Sequence, residues 1–185
     1  MKCTFLALLL FCTGVLSSQT FNEEVHLENG KSFLLGKITM EGLQTQPYKD
    51  WFQSGHESYM VDSALVDLFK TSLQDCHLKL FLGTWCGDSK REVPRFLKIL
   101  ETAGFPMENI DLVALDRRKG KVKTSPTGEE RGLNIIRVPT MLFYKNGKEV
   151  NRIVESPIDS LEEDMAQILS GQPYTPNYAT ISGSK

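Results

Sequence analysis

Histidine and cysteine are scarce in this chain, with three of the one and four of the other in 185 residues, and tryptophan occurs only twice. His26, His56 and His77 are scattered, without the short spacings that gather imidazoles and thiolates round an ion. No zinc or haem site is therefore expected, and no other cofactor. An excess of either charge is missing too: 21 Lys and Arg face 23 Asp and Glu, for a formal net charge of -2. Without a basic field the chain has no means of collecting nucleic acid, and no broad membrane-binding face is evident. At 41% hydrophobic residues, the chain can bury one core but is short for two comfortable domains.

Long apolar runs are also lacking. Lys2 precedes an apolar stretch from Phe5 to Leu16, too short to span a bilayer, and Ser17-Ser18-Gln19-Thr20 follows it. This is the layout of a secretory signal over residues 1–19, with cleavage between Ser17 and Thr20. A lipid anchor on Cys12 would need a small residue where Leu9-Leu10-Phe11 is bulky, so simple export to a periplasm or the exterior is expected. No stable membrane insertion should follow cleavage. Export would leave Cys76 and Cys86 as the only thiols. They flank the run Leu78 to Leu82, and a strand rises roughly 3.3 Å per residue, so the sulfurs should lie at opposite ends of it. A disulfide needs Cα atoms within about 7 Å, and none is expected between them.

Residues 20–57 read as an N-terminal extension. Within it, Glu28-Asn29-Gly30-Lys31 lies between apolar segments and predicts a β-hairpin over His26 to Thr39. Tyr48 to Gly55 is mixed, with Trp51 and Phe52 expected to pack on the body. From Ser58 to Leu73, the spacing of Val61, Leu65, Leu68, Phe69 and Leu73 predicts an amphipathic helix. Leu78 to Leu82 predicts a buried strand, and Val93, Phe96, Leu97 and Leu100 predict a helix bent at Pro94 and stopped by Gly104 and Pro106. Ile110 to Leu115 reads as the next strand, and Arg117 to Glu130 as a polar, largely basic loop. Lys145-Asn146-Gly147-Lys148 predicts a hairpin joining two strands. Ser156-Pro157 should open a last helix whose buried stripe is Leu161, Met165, Ile168 and Leu169, closed by Gly171 and Pro173. The remainder, 172–185, reads as a flexible tail.

This order of elements calls for a mixed sheet covered on both faces. Trp85-Cys86-Gly87-Asp88-Ser89-Lys90, with Pro94 eight residues after Cys86, resembles the active-site helix of the thioredoxin-like superfamily with its second cysteine replaced by Ser89. Val138-Pro139-Thr140 is similar to that superfamily's cis-proline loop. Together the two motifs imply a thioredoxin-like three-layer α/β/α sandwich over 58–171, with a mixed central sheet and the β-hairpin as an N-terminal extension. The resemblance further implies a cis Pro139 facing Cys86, with Trp85, Gly87, Val138, Pro139 and Thr140 contacting a client. Cys86-Gly87-Asp88-Ser89 is also similar to the Cys-Gly-Phe-Ser of monothiol glutaredoxins, although Trp85 and the leader count against that family.

The chemistry turns on a single thiol. A strand running into a helix puts Cys86 at the helix N-terminus, where unpaired N–H groups and the macrodipole favour the thiolate. Ser89, one turn along, is expected to donate a hydrogen bond to the same sulfur, while the neighbouring Asp88 opposes a second anion. Serine cannot resolve a mixed disulfide, and Leu80 stands where the resemblance implies a buried carboxylate. Cys86 and Ser89 are the expected catalytic residues, exchanging disulfides with protein clients and relying on an external thiol reductant for release. The plainer alternative is a redox-silent module that holds an extended peptide beside Pro139. The basic loop Arg117, Arg118, Lys119, Lys121 and Lys123 should emerge at the same sheet edge as Cys86 and favour acidic clients.

Overall fold

The computed structural model describes residues 20–182, so the expected leader, with Cys3 and Cys12, lies outside the described residues. Strands β1 (Glu23–His26), β2 (Ser32–Ile38), β3 (His77–Leu82), β4 (Ile110–Ala114), β5 (Thr140–Lys145) and β6 (Lys148–Val154) form one mixed sheet ordered β1-β2-β4-β3-β5-β6. Its centre is the parallel pair β3 and β4, with Leu80 opposite Leu112, and every other pairing is antiparallel. The fold is α/β, as expected.

Both predicted hairpins form. Gly30 takes φ 76° and Gly147 φ 74°, the left-handed region that a side chain disfavours, and the strands on either side pair directly. The first hairpin is more than an appendage. Gly36, Lys37 and Ile38 of β2 pair with β4, so the extension continues the central sheet.

Helices α1 (Met40–Leu43), α2 (Lys49–Ser58), α3 (Ser63–Gln74), α4 (Gly87–Thr102), α5 (Leu161–Leu169) and α6 (Ala179–Ser182), with a 3-10 turn at Met107–Asn109, are the helical elements of the described residues. The segment Tyr48 to Gly55, read as mixed, is largely the helix α2, which buries Phe52 and lies against α4. Helix α3 begins later than its periodicity predicts. Asp62 accepts hydrogen bonds from the amides of Ala64 and Leu65, capping the helix there and leaving Val61 outside it. Its buried stripe is Val66, Phe69 and Leu73, whereas Leu68 is 75% exposed. Helix α5 likewise begins at Leu161, capped by Ser160, rather than at Ser156-Pro157, and buries the expected Leu161, Met165, Ile168 and Leu169.

Strand alternation divides the apolar residues between two faces. Leu78, Leu80 and Leu82 join α2 to α5 in the main core, while Phe81, Val113, Leu115, Val138 and Leu142 form a smaller cluster on the other side. Leu133 and Ile135, from the irregular segment between β4 and β5, pack on that smaller cluster, as do Trp85 and Cys86. Through Tyr178, the stretch after α5, read from the sequence as part of a flexible tail, is hydrogen-bonded to the domain. Tyr174 donates to Asp164 at 2.6 Å, Asn177 donates to the Ser156 carbonyl at 3.0 Å, and the Tyr178 hydroxyl donates to Glu155. No helix among the described residues is long and apolar enough to cross a membrane.

Candidate functional site

β3 ends at Leu82, and Gly83-Thr84-Trp85 turns the chain into α4. Cys86 is the N-cap residue of α4, with extended backbone (φ -91°, ψ 132°), and its carbonyl accepts from Lys90 N–H at 3.0 Å, closing the first helical turn. The turn is held from several directions. Cys86 N–H donates to the Gly83 carbonyl at 2.8 Å, and the Trp85 indole N–H donates to the Leu115 carbonyl at 2.9 Å. The hydroxyl of buried Thr84 accepts from Leu34 N–H at 3.0 Å, so β2 of the extension grips the turn that carries the thiol. Gly83 is needed for the indole, because a Cβ there would stand 2.7 Å from Trp85 Cε2, closer than atoms approach without displacement.

Cys86 is half-buried and free, and its thiol donates to the Val138 carbonyl at 3.3 Å. The Val138-Pro139 peptide is cis, as the resemblance implies, and the two motifs far apart in sequence meet at this contact. The loop is itself anchored. The Thr140 hydroxyl donates to the Arg137 carbonyl at 2.8 Å, and Glu155 N–H donates to the Pro139 carbonyl at 2.7 Å. Val138, Pro139 and Thr140 are buried, whereas Gly87 is exposed with open space where a Cβ would stand.

Ser89 has a different partner from the one expected. It is fully buried, and its hydroxyl accepts from Gly83 N–H at 3.1 Å, making it a brace for the turn instead of a donor seen at the Cys86 sulfur. Asp88 is drawn aside by Arg91, 2.9 Å away. Leu80, in the place of the implied carboxylate, is fully buried in the main core. Cys76 is a buried free thiol, and burial pushes its pKa up, which disfavours its thiolate.

The basic loop emerges beside the thiol, as the parallel pairing of β3 and β4 requires. Arg117 lies over the Trp85 ring, 5.7 Å from its centroid. Arg118 instead turns to Asp116, which is buried and receives its guanidinium at 2.6 to 3.1 Å. Burial pushes the Asp116 carboxyl up, but Arg118's side-chain and backbone hydrogen bonds and its charge more than reverse this, leaving the group below its usual range. Sequence reading missed Gly83, Thr84 and Asp116. Gly83 and Thr84 adjoin the motif, and Asp116 opens the basic run two residues before Arg118, but their partners are set by tertiary contacts.

No protein-family model matches this chain. Thioredoxin-2 of Saccharomyces cerevisiae is 31% identical over 108 residues, covering 57% of this chain and 86% of that protein. A solved structure of a Pseudomonas aeruginosa protein of unknown function is similar at 19% identity, with TM-score 0.41, over 65% of this chain and 70% of that one. The likeness to thioredoxin-2 supports a thiol–disulfide redox function in general terms.

Proposed function

The chain belongs to the thioredoxin-like superfamily, and from that premise we propose that it exchanges disulfides with protein clients through Cys86 alone. The Cys86 thiolate attacks one sulfur of a client disulfide, a new S–S bond forms, and the old bond breaks. The other client sulfur leaves as a thiolate and takes a proton from solvent. For reduction, an external thiolate attacks the Cys86 sulfur of the mixed disulfide, freeing the second client sulfur as a thiolate and leaving a disulfide between Cys86 and the reductant. A second external thiolate attacks the reductant's sulfur, so that Cys86 leaves as a thiolate and the two external thiols end as their own disulfide. For isomerisation, another thiolate of the client itself attacks the client sulfur of the mixed disulfide, forming a new client disulfide and returning Cys86 as a thiolate without external electrons.

The observation that carries this reading is the half-buried Cys86 sulfur at the start of α4, within 3.3 Å of the Val138 carbonyl beside Pro139. The adjacent backbone offers an edge along which an extended client can lie. Ser89 in the resolving position and Leu80 in the core both argue against rapid dithiol turnover, and they favour the second reading, a redox-silent peptide-binding module. Trapping separates the two. The wild-type chain, incubated with a scrambled disulfide protein, is expected to form mixed disulfides that Cys86→Ala cannot form. Equal, reductant-insensitive binding by both proteins would establish the module. Export to a periplasm or the exterior is part of the same proposal, resting on residues 1–19, and detection of the chain only in the cytosolic fraction would refute that part.

A further inference from the structure

A groove of about 400 Å³ has Tyr48, Trp51, Thr84 and Trp85 among the residues lining it. The turn of the first hairpin contributes Lys31, α4 contributes Lys90 and the basic loop contributes Arg117. Its lining includes no carboxylate. The extension therefore builds one wall of a concavity that begins at the residue preceding the reactive cysteine.

These three are among the described lysines and arginines that lack a carboxylate partner, and the groove gathers them in one place. Arg91, Arg95, Arg118, Arg137 and Arg152 each pair with a carboxylate on this chain. Among the described residues, none of Lys31, Lys90 and Arg117 is in such a pair. Lys90 and Arg117 instead stand 6.0 and 5.7 Å from the Trp51 and Trp85 ring centroids. Two nearby carboxylates are already engaged. Asp88 faces Arg91, and Glu24 accepts from the Tyr48 and Ser32 hydroxyls.

We propose that this groove receives an acidic segment of the client polypeptide and so selects which disulfides reach Cys86. The proposal rests on the exchange reading and names its substrate class. Aromatic walls accommodate apolar side chains, and the uncommitted cations meet flanking carboxylates that would otherwise leave them unpaired. Aromatic rings with cations also suit single-stranded nucleic acid, but the net charge of -2 and the adjoining thiol favour a polypeptide.

Fluorescence anisotropy with cysteine-free peptides and the full chain carrying Cys86→Ser reads the groove apart from any exchange. A labelled peptide with glutamates flanking a central leucine is expected to bind about tenfold more tightly than its lysine counterpart. That gap should shrink severalfold as salt rises from about 0.05 to about 0.5 M. Joint Lys31→Glu, Lys90→Glu and Arg117→Glu substitution should invert the preference. Equal affinity for both peptides, a preference that survives the reversal, or tighter binding of an oligothymidylate would overturn the proposal. If the triple variant fails to fold, Lys31→Glu alone, on an exposed turn, should at least halve the gap, and an unchanged gap would count against the groove. Since no thiol takes part, failure here leaves the exchange reading standing. Conversely, Cys86 that never forms a mixed disulfide in a protein that still prefers the acidic peptide defeats only that reading.

Discussion

Ser89 shows what one hydroxyl does when a resolving thiol is absent. It accepts from Gly83 N–H inside the turn that presents Cys86, so its removal strands a buried donor. Ser89→Ala is expected to lower stability by about 1–3 kcal/mol, the cost of an unsatisfied buried amide, which a urea titration would measure. A loss below about 0.5 kcal/mol would show that the brace is dispensable. The placing of Cys86 beside Pro139 was legible because the two motifs are local: Trp85 to Lys90 and Val138 to Thr140 each occupy a handful of consecutive positions. The partner of Ser89 was not. A hydroxyl one turn beyond a sulfur fits either a bond to that sulfur or a bond to the preceding turn, and the path of Gly83-Thr84 decides between them.

Among the elements, α2 and α4 meet at a close contact. A Cβ on Gly55 would stand 3.0 Å from Pro94 Cγ, tight enough that the ring must give slightly. Larger side chains have no such latitude. Gly55→Val is expected to separate the helices and cost about 1–3 kcal/mol, seen as a lower thermal midpoint, whereas an unchanged midpoint would mean that the contact is slack. Helix α2 was hidden in the sequence because Trp51 and Phe52 are adjacent and offer no clear 3.6-residue period. The stripe of α3 was partly misread for a related reason: Leu65, Leu68 and Phe69 all suit a helical face, but the face that packs is centred on Val66, Phe69 and Leu73, which leaves Leu68 outward. Turn chemistry was more dependable, with Asn29-Gly30 and Asn146-Gly147 both marking hairpins.

Taken whole, the molecule joins two lengths of chain that local signals keep separate. The extension reads as a hairpin beside a domain, yet β2 pairs with β4 and Leu34 holds Thr84, contacts made across long sequence separations that leave no local pattern. Its carboxylates carry a pH signature. Burial raises Asp111 and Asp116, but His77 and Lys79 at the first, and Arg118 at the second, bring both below their usual range. Glu24 is lowered chiefly by the Ser32 hydroxyl. A carboxyl depressed by folding contributes stability above its unfolded value of about 4, and that contribution is lost as pH falls through the folded value. The urea midpoint should therefore fall steadily below about pH 4, and Arg118→Ala should flatten the fall. A midpoint independent of pH there would contradict this assignment.

The most direct test of the thiol's role is peptide mapping by mass spectrometry after brief exposure of the folded protein to oxidised glutathione near neutral pH. One glutathione on Cys86, with buried Cys76 unmodified until the protein is denatured, is the predicted result. An unmodified Cys86, or addition to Cys76 first, would contradict the account.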